Sequence, residues 1–142
     1  MTPVSADLFS AIVTFLALVL YTYMGVQVGM MRGKHKIDAP TMTGPLEFEC
    51  AVRVQMNTLE ALVVFLPALW LATFYFKMWE WLPAALGLVW VVGRFLYMTG
   101  YMAAPNKRST GFGISALAQV LLLLLAIFGV AQILVQTWPG AA

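Results

Sequence analysis

The sequence predicts an all-α integral membrane protein in which four transmembrane helices form one bundle. Of its 142 residues, 62% are hydrophobic and only 10% are charged, whereas the apolar share of a soluble domain is typically about 45–50%. Four apolar runs are long enough to cross a bilayer, and short polar connections separate them. We therefore expect a single membrane domain over residues 1–142, with helices over about 5–31, 45–76, 82–103 and 111–137.

The first helix is apolar along nearly its whole length and exceeds the roughly 20 residues that a bilayer requires. Because it lacks a basic start and an evident small-residue cleavage site, we interpret it as a membrane span and not as a signal peptide. Gly25, Gly29 and Gly33 recur every four residues, a spacing that lets another helix approach closely. His35 follows in a short charged segment, where we expect a solvated loop.

A polar stripe marks the second helix, where Glu49, Arg53, Asn57 and Glu60 follow one another at offsets of four, four and three. At about 100° per residue, the four side chains fall within roughly 80° of one another on a helix. A charge at membrane depth is costly unless it faces a partner or a wet cavity. The stripe is therefore either a salt-bridged contact between helices or a ligand site, and the spacing alone leaves both possibilities open.

The third helix carries Arg94, Tyr97 and Tyr101 within about 60° of one another. From the rise per residue, Tyr97 lies about 22 Å from the Leu82 end of the third helix. Glu60 lies about 24 Å from the Phe76 end of the second helix. Antiparallel neighbours would therefore place them at similar depth, with Arg94 one turn deeper. We predict that Arg94 forms a structural ion pair with Glu60, and that Glu49 forms one with Arg53, four residues further along the helix.

Several function classes are disfavoured by composition. A net charge of +2 is too small to suggest a nucleic-acid partner, and no cluster of His, Cys, Asp and Glu has metal-ligand spacing. The single cysteine, Cys50, is interpreted as a packed thiol. The fourth helix, residues 111–137, carries no obvious chemistry. A transporter or channel is disfavoured because the chain is short and lacks an inverted repeat.

The basic residues cluster in two connections, residues 32–36 and 107–108. In a four-helix topology both connections lie on the same side of the membrane. Because cytoplasmic connections carry the excess of Lys and Arg, we expect both of them in the cytoplasm and both chain termini on the opposite side.

Three motifs carry a resemblance to a known family: Phe48-Glu49-x-x-x-Arg53-x-Gln55-x-Asn57-x-x-Glu60, Arg94-x-x-Tyr97-x-x-Gly100-Tyr101, and Lys107-Arg108-x-Thr110-Gly111-Phe112. They resemble the membrane-associated proteins in eicosanoid and glutathione metabolism, the MAPEG family. The likeness covers essentially the whole chain, and it looks closest to the branch of microsomal glutathione transferase 2 and leukotriene C4 synthase.

This resemblance implies a homotrimer that binds glutathione between subunits near the cytoplasmic face. It assigns the carboxylates and peptide groups of glutathione to four residues: Arg32, Arg53, Gln55 and Asn57. It assigns the glutathione ammonium to Glu60, hydroxyl contacts to Tyr97 and Tyr101, and the sulfur to the catalytic residue Arg108. Gln55 points about 120° away from Glu49 on a helix, which a site between subunits would accommodate.

The implied activity is transfer of glutathione to hydrophobic electrophiles, with reduction of lipid hydroperoxides as a further activity. The partners would be glutathione, an apolar electrophile and membrane lipids. Ala61 stands where the eicosanoid-synthesising branch has tyrosine, which favours a general detoxifying transferase over specialised leukotriene synthesis. The alternative is a catalytically silent, lipid-binding membrane scaffold of the same family.

Overall fold

The computed structural model describes residues 5–138. Four long helices make up this part of the chain: α1 (Ala6–His35), α2 (Leu46–Tyr75), α3 (Leu82–Ala103) and α4 (Ser109–Thr137). A short 3-10 helix, Pro105–Arg108, connects the last two. All four long helices are long and apolar enough to cross a membrane, so the prediction of an all-helical chain with four long apolar helices is confirmed, and these helices are consistent with a four-helix membrane bundle. The ends of the predicted domain, residues 1–4 and 139–142, lie outside the described residues.

Two helix ends differ from the prediction. α1 continues to His35, beyond the predicted end at residue 31, and stops where Lys36 adopts the left-handed conformation at φ 53°. His35 therefore belongs to the last helical turn and not to a solvated loop. Basic side chains are favourable in this turn because they face the negative end of the helix dipole. α4 begins at Ser109, earlier than predicted, because the 3-10 helix leads directly into it.

Glycines bring α4 very close to its neighbours. Gly111 lies against the backbone of Tyr97 on α3, and a Cβ atom at this position would overlap it. Near the other end of α4, a Cβ on Gly129 would come within 2.5 Å of the carbonyl carbon of Tyr75, at the end of α2. Small residues at helix crossings allow such close backbone packing in membranes. α4 is thereby fixed against both α2 and α3.

Buried aromatic and polar contacts join the helices in the core. Phe65 on α2 stacks on Trp90 on α3, with ring centroids 3.8 Å apart and planes inclined by 5°. Both side chains are fully buried. The hydroxyl groups of Ser10 and Thr73 form a 2.7 Å hydrogen bond between α1 and α2. Such a hydrogen bond offsets the free-energy cost of burying the two hydroxyl groups away from water.

Candidate functional site

A cavity of about 550 Å³ lies between α2, α3 and α4, within the range of about 300–1,000 Å³ common for ligand sites. We call it the central cavity. It brings together six residues that the sequence singled out: Asn57, Glu60, Ala61, Arg94, Tyr97 and Arg108. They come from three helices, so the bundle assembles this group from distant parts of the chain.

Asn57 and Tyr97 connect the two polar helix faces directly. The Asn57 side-chain Nδ2 donates a 2.7 Å hydrogen bond to the Tyr97 hydroxyl. Tyr97 is buried, whereas Glu60, one turn along α2 from Asn57, is exposed in the single chain. This bond places Tyr97 beside the polar stripe, at the depth that the helix rise indicates.

Arg94 is buried, with 5% of its surface exposed. Within residues 5–138, no carboxylate lies within 4.0 Å of its guanidinium, so the predicted ion pair with Glu60 is not formed in the single chain. The guanidinium instead lies over the rings of Trp90 and Tyr97, 5.5 Å and 5.0 Å from their centroids, a favourable cation–π geometry. Its Nε and Nη1 have no hydrogen-bond partner in the described part of the chain.

Glu49 also has a different role from the one predicted. Its carboxylate accepts a 3.0 Å hydrogen bond from the backbone N–H of Gly44, just before α2, and among residues 5–138 it forms no ion pair. A carboxylate is favourable here because it lies in the first turn of α2, at the positive end of the helix dipole, and gives a backbone N–H an acceptor. In the described part of the chain, the ion pair at this end of the bundle joins Glu47 to Lys34 at 2.7 Å, and the same carboxylate lies 3.2 Å from the His35 Nε2.

Arg108 is oriented by an aromatic neighbour. Its Nη1 donates a 3.0 Å hydrogen bond to the Tyr101 hydroxyl, and its guanidinium lies 5.2 Å from the centre of the Tyr101 ring. The rings of Tyr101 and Tyr97 in turn pack nearly perpendicular to each other, with centroids 5.5 Å apart. A guanidinium is thus held at the start of α4, on the wall of the central cavity.

The remaining predicted ligand residues lie elsewhere in the chain. Arg53 lines a separate depression together with Glu49. Arg32 donates to the backbone carbonyl of Asp38 at 3.4 Å, and Gln55 lies next to α1, where a Cβ on Gly25 would be 3.2 Å from its Nε2. The single chain therefore divides the predicted glutathione residues between the central cavity and other surfaces.

One face of α4, which was not predicted from the sequence to carry any chemistry, lines the central cavity. Phe112, Ala116 and Gln119 line the central cavity and lie at helical offsets of four and three, which is one helix face. Their spacing continues from Arg108, and Gln119 is a lone polar residue in an apolar stretch. That combination could have signalled the face. Within residues 5–138, no three His, Cys, Asp or Glu side chains converge, so cations, amides, hydroxyls and one carboxylate supply the polar chemistry of the cavity.

Comparison with known proteins gives consistent matches over most of the chain. The model of the MAPEG family matches residues 10–128. Microsomal glutathione S-transferase 2 of Mus musculus is 44% identical over 122 residues, which cover 86% of this chain and 82% of the relative. An uncharacterized protein of Synechocystis is 41% identical over 123 residues, 87% and 88% of the two chains. Leukotriene C4 synthase of Cavia porcellus is 39% identical over 132 residues, 93% and 85% of the two chains.

Proposed function

Because the chain belongs to the MAPEG family, we propose that this multi-pass membrane protein is an enzyme that transfers glutathione to hydrophobic electrophiles. Relatives that align over most of its length are named for glutathione transfer and leukotriene C4 synthesis. The observation that carries the proposal is the central cavity, where two guanidinium groups, a carboxylate, two amides and a phenol lie together.

These groups match the chemistry of glutathione. The tripeptide carries one ammonium group, two carboxylates and a thiol. Glu60 can pair with the ammonium, while Asn57 and Tyr97 can hydrogen-bond the peptide groups. The buried Arg94 has N–H groups that donate to no atom of residues 5–138, and a ligand carboxylate would satisfy them. This role replaces the intramolecular ion pair that the sequence predicted.

Arg108 is the proposed catalytic residue. A thiol with a pKa of about 8.5 is mostly protonated at neutral pH, and the thiolate is the nucleophile. The positive charge of a guanidinium favours loss of the thiol proton to solvent. The thiolate then attacks the electrophilic carbon, a carbon–sulfur bond forms, and a leaving group such as chloride departs with its bonding electrons. In the reduction of a lipid hydroperoxide, the same thiolate would attack the terminal peroxide oxygen, the O–O bond would break, and the lipid alcohol would leave after taking up a proton. The resulting glutathione sulfenic acid would then react with a second glutathione to give glutathione disulfide and water.

A homotrimer would complete the site. Arg32, Arg53 and Gln55 lie outside the central cavity, so a neighbouring subunit must supply them if all the predicted glutathione residues act together. Among residues 5–138, no atom lies within 4 Å of a Cβ placed on Gly29 or Gly33 of α1, so these two positions face open space. Such positions let a helix of another subunit approach closely.

The proposed orientation places the connections 32–36 and 107–108 in the cytoplasm, with both termini on the opposite side. The lysine and arginine bias of these connections supports it. Arg108 would then stand near the cytoplasmic face, where a charged tripeptide arrives from water. Ala61 lines the central cavity, and its small side chain leaves room for varied apolar electrophiles. This supports general detoxification.

The test is glutathione-dependent turnover of an aryl halide, 1-chloro-2,4-dinitrobenzene, by the purified protein in detergent. We expect product formation that saturates with glutathione and exceeds the uncatalysed rate. A parallel assay with cumene hydroperoxide measures the peroxidase activity. If the protein binds glutathione by calorimetry but turns over neither substrate, the enzyme proposal fails and the lipid-binding scaffold takes its place.

A further inference from the structure

One polar side chain interrupts the apolar middle of α4. Between Ser115 and Gln132 the helix contains no other polar residue than Gln119, and Gln119 lines the central cavity. It lies eleven residues beyond Arg108, which is about 16 Å along the helix. The cavity therefore extends from a cation near its start to an amide at hydrophobic depth.

A buried indole fixes which way the Gln119 amide points. The Trp90 Nε1 donates a 3.1 Å hydrogen bond to the Gln119 Oε1. Because an indole nitrogen can only donate, the amide oxygen must face Trp90 and the NH2 group must face away. Trp90 is fully buried and stacked on Phe65, so it cannot turn to change this arrangement.

The NH2 group of Gln119 has no acceptor in the described part of the chain, where the amide takes part only in the bond from Trp90. Gln119 is half-buried and lines the central cavity. Because Trp90 is hydrogen-bonded to the oxygen of its amide, the two N–H donors are the atoms of this amide that remain for a ligand in the cavity. Unpaired donors at apolar depth are unfavourable, and an oxygen atom of a ligand would satisfy them.

We propose that Gln119 is a specificity-determining residue that binds an oxygen acceptor on the chain of the electrophile. The inference rests on the proposed function, in which the thiolate reacts beside Arg108. Arg108 and Gln119 are about 16 Å apart along α4. Because both side chains extend into the cavity, the carbon that reacts beside Arg108 and the oxygen that binds Gln119 would be roughly 10 Å apart. The favoured substrates are medium-chain electrophiles, such as unsaturated aldehydes, that carry a hydroxyl or carbonyl group far from the reacting carbon.

Two stable product analogues test the inference without requiring turnover: S-nonylglutathione and S-(9-hydroxynonyl)glutathione. Calorimetry on the detergent-solubilised protein gives a dissociation constant for each, and the ratio of the two measures the preference for the distal oxygen. We expect the wild-type protein to bind the hydroxylated conjugate about fivefold more tightly, the effect of one net hydrogen bond.

Substitution Gln119→Met keeps a similar shape and removes both donors, so the ratio should fall to about one. Gln132→Met is the matched control, the same substitution on the same helix outside the central cavity, and the wild-type ratio should remain. Equal binding of both conjugates by the wild-type protein, or an unchanged ratio in Gln119→Met, overturns the inference alone. Binding of neither conjugate by the wild-type protein overturns the proposed function together with the inference.

Discussion

Replacement of Arg108 by alanine tests whether this side chain makes the glutathione thiol reactive. Arg108 lines the central cavity, and its hydrogen bond to the Tyr101 hydroxyl holds the guanidinium in place. Lys107 is a natural control because it is adjacent, exposed and basic, yet it does not line this cavity. The two substitutions remove the same formal charge from the same connection.

The expected magnitude follows from the charge alone. At an effective dielectric constant of about 20, a guanidinium about 6 Å from a thiolate stabilises it by about 2.8 kcal/mol. This corresponds to lowering the thiol pKa by about two units, from about 8.5 to about 6.5. At pH 7 the thiolate fraction would then be about three-quarters with Arg108 and about 3% without it. Arg108→Ala should therefore reduce the thiolate population, and turnover with it, by about 25-fold.

Two measurements check this value. The thiolate of bound glutathione absorbs at about 240 nm, and this absorbance should disappear in Arg108→Ala but persist in Lys107→Ala. The pH dependence of aryl halide turnover should also change, because the rate rises as the thiol loses its proton. Its midpoint should move upward by about two pH units in Arg108→Ala. Equal and small losses in both variants would refute thiolate stabilisation and leave the arginine only a role at the membrane surface.

Three further predictions concern the ligand, the assembly and the orientation. Glu60→Gln should weaken glutathione binding about tenfold, since it removes the charge partner of the ammonium; calorimetry that shows normal binding alongside a lowered melting temperature would assign Glu60 a structural role instead. Chains carrying Gln55→Cys should form disulfide-linked species when co-expressed with chains carrying Tyr97→Cys in the central cavity, and a stable, active monomer would contradict the intersubunit site. In intact cells, an impermeant thiol reagent should label a cysteine placed at Lys77 but spare one at Lys34, and the opposite pattern would show that the orientation is reversed.

The membrane spans could be predicted well because the bilayer sets their length and composition. The end of α1 could not, since the charges of the last turn are compatible with either a helix end or a loop. What decides it is the left-handed conformation of Lys36, a local backbone choice that no periodicity encodes. The same limit applies to α4, whose start depends on how the 3-10 helix packs against α3.

Side-chain neighbours were predictable where helix geometry alone places them. Asn57 and Tyr97 meet as the matched depths of α2 and α3 indicate. The contacts of Arg94 with Trp90 and Tyr97 were predictable in the same way, because these rings lie four residues before and three residues after it on α3. The expected ion pair with Glu60 was not, because it depends on how α2 and α3 are rotated towards each other. Gln119 was not predicted as a site residue because it is a single polar side chain in a long apolar stretch of α4.

The short connection between α3 and α4, one extended residue followed by the 3-10 helix, limits where the protein can be engineered. One residue inserted within the 3-10 helix Pro105–Arg108 adds a rotation of about 120°, which would either swing Arg108 off the cavity wall or pull Gly111 out of its close contact with Tyr97. Epitope tags, reporter domains and loop exchanges should therefore avoid this connection. The exposed residues 77–81 at the opposite end of the bundle are the suitable place for them, since surface turns tolerate insertion.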